Sequence, residues 1–433
     1  MTTAAVPAGA DGTDVVPDRF RLGCNYWPRN KAMSWWSDFD AGEVGDEFDV
    51  IAALGMDCVR LFLLWDDWMP SPDEVSTGCL RHLGRVCDAA TDRGLELDVT
   101  FFTGHMSGPN WSPRWLLAPD GPSPTPHPRQ VVSGGRVVDG SYRNPFHDPV
   151  AIAAERLLLA TVVGEYLEHP AIWMWNLGNE PDLFAWPSTA SAGRAWMSDM
   201  CAFVRDIDPH HPVTCGLHVD SLVSDNHLRV GDVFAETDVA VMHGYPMYAS
   251  WARHPLDPDF VPFVCALTSA MCSKPVLAEE WGGCTAPGGG PSQVWEWIDH
   301  AGTARTQFMA GEDALAEHVE AVLPKLVEVG VTGALLWCFA DYAEHLWDRP
   351  PLDPLGAIHE RHFGLVRPDG TLKPHAEVVR RFAATGPVVQ WPRRTVELGA
   401  SGDQYYADPL VRARRLYADF LGEDFPGPAV GHR

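Results

Sequence analysis

Basic residues are scarce in this chain: 32 Lys and Arg stand against 58 Asp and Glu, a formal net charge of −26 over 433 residues. A surface of that sign repels phosphate backbones and anionic lipid, so neither nucleic acid nor a membrane surface is expected as a partner. Also missing is any apolar stretch long enough to span a bilayer. The opening MTTAAVPAGADGTDVVPDRF has no basic start and no apolar core, so no secretory signal is expected and a cytoplasmic location is. None of the ten cysteines falls in a C-x-x-C pair. Cys58, Cys215, Cys265 and Cys338 lie inside apolar runs, which fits reduced, buried thiols better than a disulfide framework or a zinc cluster. There is no H-E-x-x-H, and no His-x-His after the first candidate strand, despite 18 histidines. A metal-dependent barrel hydrolase is therefore disfavoured, and no metal or cofactor is expected.

What is present is globular composition, with 46% hydrophobic and 21% charged residues. Short β-like runs alternate with amphipathic helical stretches. The candidate strands are 21–27, 57–65, 95–103, 171–180, 212–218, 239–245, 275–282 and 333–341. Helix-like segments between them include 43–54, 150–168, 190–206, 312–329 and 375–384. Near-continuous apolar strands alternating with helices imply a parallel sheet buried on both faces. No Gly-x-Gly-x-x-Gly follows the first strand, so eight such units suit a closed α/β barrel, (β/α)8, better than an open dinucleotide-binding sheet. Long loops at 104–148 and 341–372 leave the C-terminal ends of strands, the face where barrel enzymes build their sites. The expected organisation is a flexible segment 1–18, a catalytic barrel 19–385 and an extension 386–433 packed on the barrel.

Two strands end in carboxylates. WNLGNEP closes the fourth with Glu180, and KPVLAEEWGG closes the seventh with Glu279 and Glu280. Alternation puts Val276, Ala278 and Glu280 on one face of that strand and Leu277 with Glu279 on the other. Small residues suit a crowded barrel interior, so Glu280 is expected to point inward. The fourth and seventh strands face one another across a closed barrel. Two carboxylates across a sugar-sized gap are the apparatus of glycoside hydrolysis, one kept protonated and one ionised.

WNLGNEP, KPVLAEEWGG, the Arg of DCVRLFLLW and the HGY of VMHGYPMY together resemble clan A of the glycoside hydrolases, and most closely family 5, over roughly residues 20–385. LGCNYWPRNKAMSWWSDFD and LGMDCVRLFLLWDDWMP resemble the branch containing bacterial exo-acting β-mannosidases. The resemblance implies Glu180 as acid/base, Asn179 as the amide holding the sugar's 2-hydroxyl, and Glu280 as nucleophile. It implies Arg60 beside the nucleophile, favouring its ionised form. It places His243 and Tyr245 in the site, with Tyr245 donating to the nucleophile, Trp337 as the platform under the sugar, and His105 as a looser match.

Each of these has a structural alternative: Arg60 as an ion-pair partner, His243 as a satisfied core histidine, Trp337 as core packing. The leading expectation is a retaining glycosidase releasing terminal β-mannosyl units from a small β-linked oligosaccharide. An endo-β-mannanase or β-glucosidase of the same fold is the alternative within the class. A non-catalytic carbohydrate-binding barrel would keep the tryptophans and lose a carboxylate. The sequence does not indicate an oligomeric state.

Overall fold

All eight apolar runs become strands of one parallel sheet in the computed structural model, which describes residues 19–425. The expected flexible segment 1–18 and the last residues of the C-terminal extension lie outside the described residues. The strands are β1 (Arg21–Asn25), β2 (Cys58–Leu64), β3 (Glu96–Thr103), β4 (Ile172–Asn179), β5 (Val213–Gly216), β6 (Ala240–Gly244), β7 (Val276–Gly282) and β8 (Gly333–Trp337). Their order in the sheet is β5-β4-β3-β2-β1-β8-β7-β6. The two edges meet through a parallel bridge between His218 and His243, with Asp238 N donating to Val213 O at 2.8 Å and His243 N to Leu217 O at 2.9 Å. The sheet is a TIM barrel.

A helix follows each strand: α1 (Ala41–Ala53), α2 (Thr77–Thr91), α3 (Pro149–Tyr166), α4 (Ala190–Ile207), α5 (Val230–Glu236), α6 (Phe260–Cys272), α7 (Glu312–Glu328) and α8 (Pro374–Ala383). The local sequence starts several of them. Asp40, Ser76, Asp148 and Thr189 accept bonds from orphan N–H groups at the starts of α1 to α4, and Pro149 occupies the first turn of α3, where it costs nothing. The apolar faces bury Phe48 and Ile51, Leu83 and Val86, Leu158 and Val162 against the sheet. Each such side chain contributes about 1.5–3 kcal/mol. Among the described residues, no helix is long and apolar enough to cross a membrane.

The loops at the strand ends have their own structure. Segment 104–148 contains a small sheet of Asn110–Trp111, Val131–Ser133 and Arg136–Val138. Segment 341–372 carries two short 3-10 turns, Glu344–Leu346 and Ile358–His362. A third excursion follows β7, where Gln293–Ile298 pairs with Ala304–Met309 as a hairpin that is not among the strands expected from the sequence. The C-terminal segment ends in a helix, Pro409–Leu421, which lies against the loops after β5 and β6.

Candidate active site

Strand irregularities put the chemistry where it is. Register breaks between Asn176 and Asn179 on β4, and between Ala278 and Glu280 on β7, so neither strand ends with plain alternation. Glu180 follows the first break with φ 45° and ψ 55°, a left-handed conformation that costs a side-chain-bearing residue about 1–2 kcal/mol. Its N–H is anchored on Gly216 O at 2.9 Å. The second break overturns one expectation. Strand parity placed Glu279 on the helix-facing side, but the bulge turns both carboxylates of β7 into the barrel, where Glu279 is fully buried.

Arg60 is also fully buried and joins several of these groups. Its Nη1 donates to Glu280 Oε1 at 2.5 Å and to Asn25 Oδ1 at 3.1 Å, its Nη2 donates to Asn179 Oδ1 at 3.0 Å, and its Nε donates to Thr100 Oγ1 at 2.9 Å. Tyr245 donates to Glu280 Oε2 at 3.1 Å. His243 stands between two acids, with Nδ1 at 2.9 Å from Glu180 Oε1 and Nε2 at 2.9 Å from Glu279 Oε2. Asn176 donates to Glu279 Oε1 at 3.0 Å. Gly216 makes room for this layer: a Cβ there would lie 2.8 Å from Arg60 Nη2 and 3.0 Å from Glu279 Oε2.

The remaining expected residues line the same cavity, of about 570 Å³. Asn179 gives one amide hydrogen to His105 O at 3.0 Å. His105 Nε2 stands 4.0 Å from Glu180 Oε2. Trp337, whose peptide to Cys338 is cis, forms part of the wall and donates Nε1–H to Glu360 Oε2 at 3.2 Å. One oxygen each of Glu180 and Glu280 and one nitrogen of His243 lie within 4.8 Å of one another. These atoms are a donor set for a cation in geometry, yet the imidazole already bonds to Glu180.

The charge balance differs from the simplest expectation. Burial pushes the Glu180 carboxyl up, but His218 and His243 outweigh it and hold the group below the usual carboxylate range. Burial lowers His243, but Glu280, Glu180 and Glu279 more than reverse this and raise it to about 9. These two shifts describe one hydrogen-bonded pair, which keeps a shared proton into mild alkali with the proton on the imidazole side. Glu280 is raised, by burial first and then by Glu180 and Glu279, against the pull of His243 and Arg60. The expected effect of Arg60 is present, and burial overcomes it. Burial holds His105 down at about 4, leaving it neutral.

Several pocket residues escaped the sequence reading. His218, which holds Asp182 at 3.0 Å, ends the fifth predicted strand, a position that signalled it. Tyr248, three residues beyond the HGY motif, also lines the cavity, as do Ser107, Trp251, His359 and Glu360 from loops without a motif.

A family model described as "Glycosyl hydrolases family 2, TIM barrel domain" matches residues 131–384, more than half of the chain. The chain belongs to this glycosyl hydrolase family. The clan A, family 5-like assignment is supported by solved structures similar to this glycosyl hydrolase. The GH5_18 protein from Streptomyces cattleya, solved with GlcNAc, is 22% identical with a TM-score of 0.74, over 94% of this chain and 91% of that one. A variant of it was solved with Manb1-4GlcNAc, with a TM-score of 0.72. The exo-beta-1,4-mannosidase from Opitutaceae bacterium strain TAV5 is 25% identical with a TM-score of 0.66, over 89% of this chain and 62% of that one. Among curated proteins, the probable mannan endo-1,4-beta-mannosidase C of Aspergillus terreus is 28% identical over 177 residues, 34% of this chain and 41% of that protein. The chain thus spans less than half the length of that relative.

Proposed function

We propose that this glycosyl hydrolase is a retaining, exo-acting β-mannosidase that removes terminal β-mannosyl units from short oligosaccharides. The observation that carries the reading is the approach of Glu180 and Glu280, with oxygens within 4.8 Å across the barrel mouth. That short approach favours the retaining arrangement, with carboxyl groups about 5–5.5 Å apart, over the inverting one at about 6.5–9.5 Å. Glu280, gripped by Arg60 and Tyr245, attacks the anomeric carbon as carboxylate. The Glu180–His243 pair supplies the proton to the leaving oxygen: the carboxyl gives it up, and the imidazole it bonds holds the store. In the second step Glu180 takes a proton from water, and the sugar leaves Glu280 with its β configuration restored.

The β-mannosyl preference draws support from the neighbours and relatives named above. The exo preference draws support from loops 104–148 and 341–372, which both contribute to the cavity wall.

The test is a panel of 4-nitrophenyl β-mannoside, β-glucoside, β-galactoside and β-xyloside, followed by mannohexaose. The β-mannoside should react fastest, NMR should show the β anomer released first, and mannohexaose should yield mannose from the start. Early mixtures of di- and trisaccharides would mean an endo enzyme, and release of the α anomer would remove the covalent mechanism. In Glu180→Ala, added azide should restore turnover of the activated substrate as β-mannosyl azide. An α-azide from that variant would reverse the two glutamates.

A further inference from the structure

Besides Glu180 and Glu280, Asp220 and Glu360 line the cavity, and the mechanism above uses neither; Glu360 is the buried one of the two. Glu360 sits on the 3-10 turn Ile358–His362 in the loop after β8, and it is only 7% exposed. One of its oxygens accepts the Trp337 Nε1–H at 3.2 Å. The other stands 3.7 Å from His359 Nε2, beyond hydrogen-bond distance. That His359 nitrogen is within 2.9 Å of Tyr248 OH. Nearby polar groups are equally unspent: Ser107 Oγ and His359 Nδ1 are buried without a hydrogen-bond partner among the described residues. Ser107, His359 and Glu360 all line the cavity.

Buried donors and acceptors without partners cost about 1–3 kcal/mol each. A cavity wall that carries two such atoms beside the Glu360 oxygen that takes no bond from Trp337 is suited to hydroxyl groups, which both donate and accept. Their place in the barrel gives them a direction. β8 and β4 stand four strands apart in the sheet, so the β8 loop with Glu360 faces Glu180 across the mouth. Glu180 marks the side where the leaving group departs. Glu360 therefore stands at the far end of a ring lying on Trp337.

We propose that Glu360, with Ser107 and His359, is a specificity-determining residue that binds hydroxyls of the terminal sugar remote from its anomeric carbon, those on C3, C4 or C6. This rests on the glycosidase reading of the same cavity. Burial raises the Glu360 carboxyl to about 8 against the bond from Trp337, with Glu280 and Glu180 adding to the rise. In its neutral form it offers one donor and one acceptor and adds no charge beside the nucleophile. A chain continuing beyond the terminal sugar would have to displace these contacts, which ties the recognition to exo action.

The experiment measures kcat/KM for the parent, Glu360→Ala and Glu360→Gln with 4-nitrophenyl β-mannoside and its 3-, 4- and 6-deoxy analogues. The parent should lose about 100-fold or more on at least one deoxy analogue. Glu360→Ala should lose a similar factor on the complete sugar and show less than about 10-fold further loss on that analogue. Glu360→Gln keeps an acceptor for Trp337 and a donor toward the sugar but no acceptor there, so its deoxy penalty should fall between those of the parent and Glu360→Ala, which guards against misfolding of the alanine variant. If both variants slow every substrate by one factor and the parent's deoxy penalty persists, Glu360 only supports Trp337 and the proposal is overturned. Unchanged activity in both variants would overturn it equally. A parent active on aryl glycosides keeps the glycosidase reading alive in either case, whereas a parent inert to the whole panel overturns both.

Discussion

At the scale of single residues, the adjacent acids Glu279 and Glu280 divide the labour. Glu280 is reached by Tyr245 and lines the cavity, whereas Glu279 lies deeper, its carboxylate bonded to His243 and Asn176 and its backbone carbonyl accepting from the Asn25 amide. Glu280→Gln is expected to lose about 10³-fold or more in kcat, because the amide cannot attack carbon. Glu279→Gln keeps both carboxylates of the reaction and should retain measurable turnover. Its effect should show in pH dependence. In the proposed mechanism activity needs Glu280 ionised, so it should fall as pH drops through a value raised above the ordinary carboxylate range. It needs the Glu180–His243 pair protonated, so it falls again as pH rises through about 9. Removing the Glu279 charge takes away one partner that holds the proton on His243, and the alkaline limb should move to lower pH. The measurement is kcat/KM from pH 4 to 10 for parent and variant. An alkaline limb that stays in place would show that Glu279 does not govern the pair, and near-normal activity in Glu280→Gln would remove it as nucleophile.

At the scale of elements, all eight strands were legible because buried parallel strands are continuous apolar runs, and these end in residues with no place in a core. Arg60, Glu180, His243, Glu280 and Trp337 could be located from strand ends together with the family motifs. What alternation could not supply was the direction of Glu279, because a bulge changes which face a residue occupies without leaving a mark in the apolar pattern. The hairpin after β7 was hidden for another reason. Trp295 stacks near His362 and Trp297 approaches His359, while Val294 and Ile298 on the other face are 60% and 53% exposed. Exposed apolar residues defeat a reading based on polar-out patterning. Loop residues such as Ser107 and Glu360 reach the cavity through tertiary contacts alone, and no spacing in the sequence encodes that. The bulged end of β7 also depends on Gly282, whose φ is 144° and whose added Cβ would lie 2.8 Å from Trp337 O. Gly282→Ala should therefore push β7 away from β8, two residues beyond Glu280. A loss of about 1–3 kcal/mol in urea unfolding is expected, with kcat/KM reduced at least about 10-fold. Parental values for both would show that the strand end tolerates the side chain and that the glycine is incidental.

At the scale of the whole molecule, the segment after α8 is bound to the barrel by tyrosines. Tyr405 OH donates to Leu222 O at 2.9 Å and Tyr406 OH to Ser221 O at 2.8 Å, both on the loop after β5. Leu410 of the terminal helix reaches the cavity wall. The firmest tie is Tyr417, whose hydroxyl donates to Asp257 Oδ2 at 2.6 Å while Arg253 grips the same carboxylate at 2.5 Å. Burial would raise Asp257, but the bonds from Arg253 and Tyr417 prevail and lower it to about 2. The sign follows from linkage. A carboxylate depressed in the folded state adds stability above its unfolded pKa of about 3.9, and that contribution fades as pH falls toward about 2. Tyr417→Phe removes one of the depressing bonds and leaves the ring packed between Phe260 and Phe263. A hydrogen bond to a charged group contributes about 1.5–3 kcal/mol, so the variant should unfold more readily by about that amount at pH 7. The difference should shrink between about pH 4 and pH 2, where the parent loses the same contribution by protonation. Urea unfolding of both proteins across pH 2 to 7 reads this directly. A stability gap that stays constant down to the lowest pH would mean that the hydroxyl acts through packing rather than through the Asp257 charge.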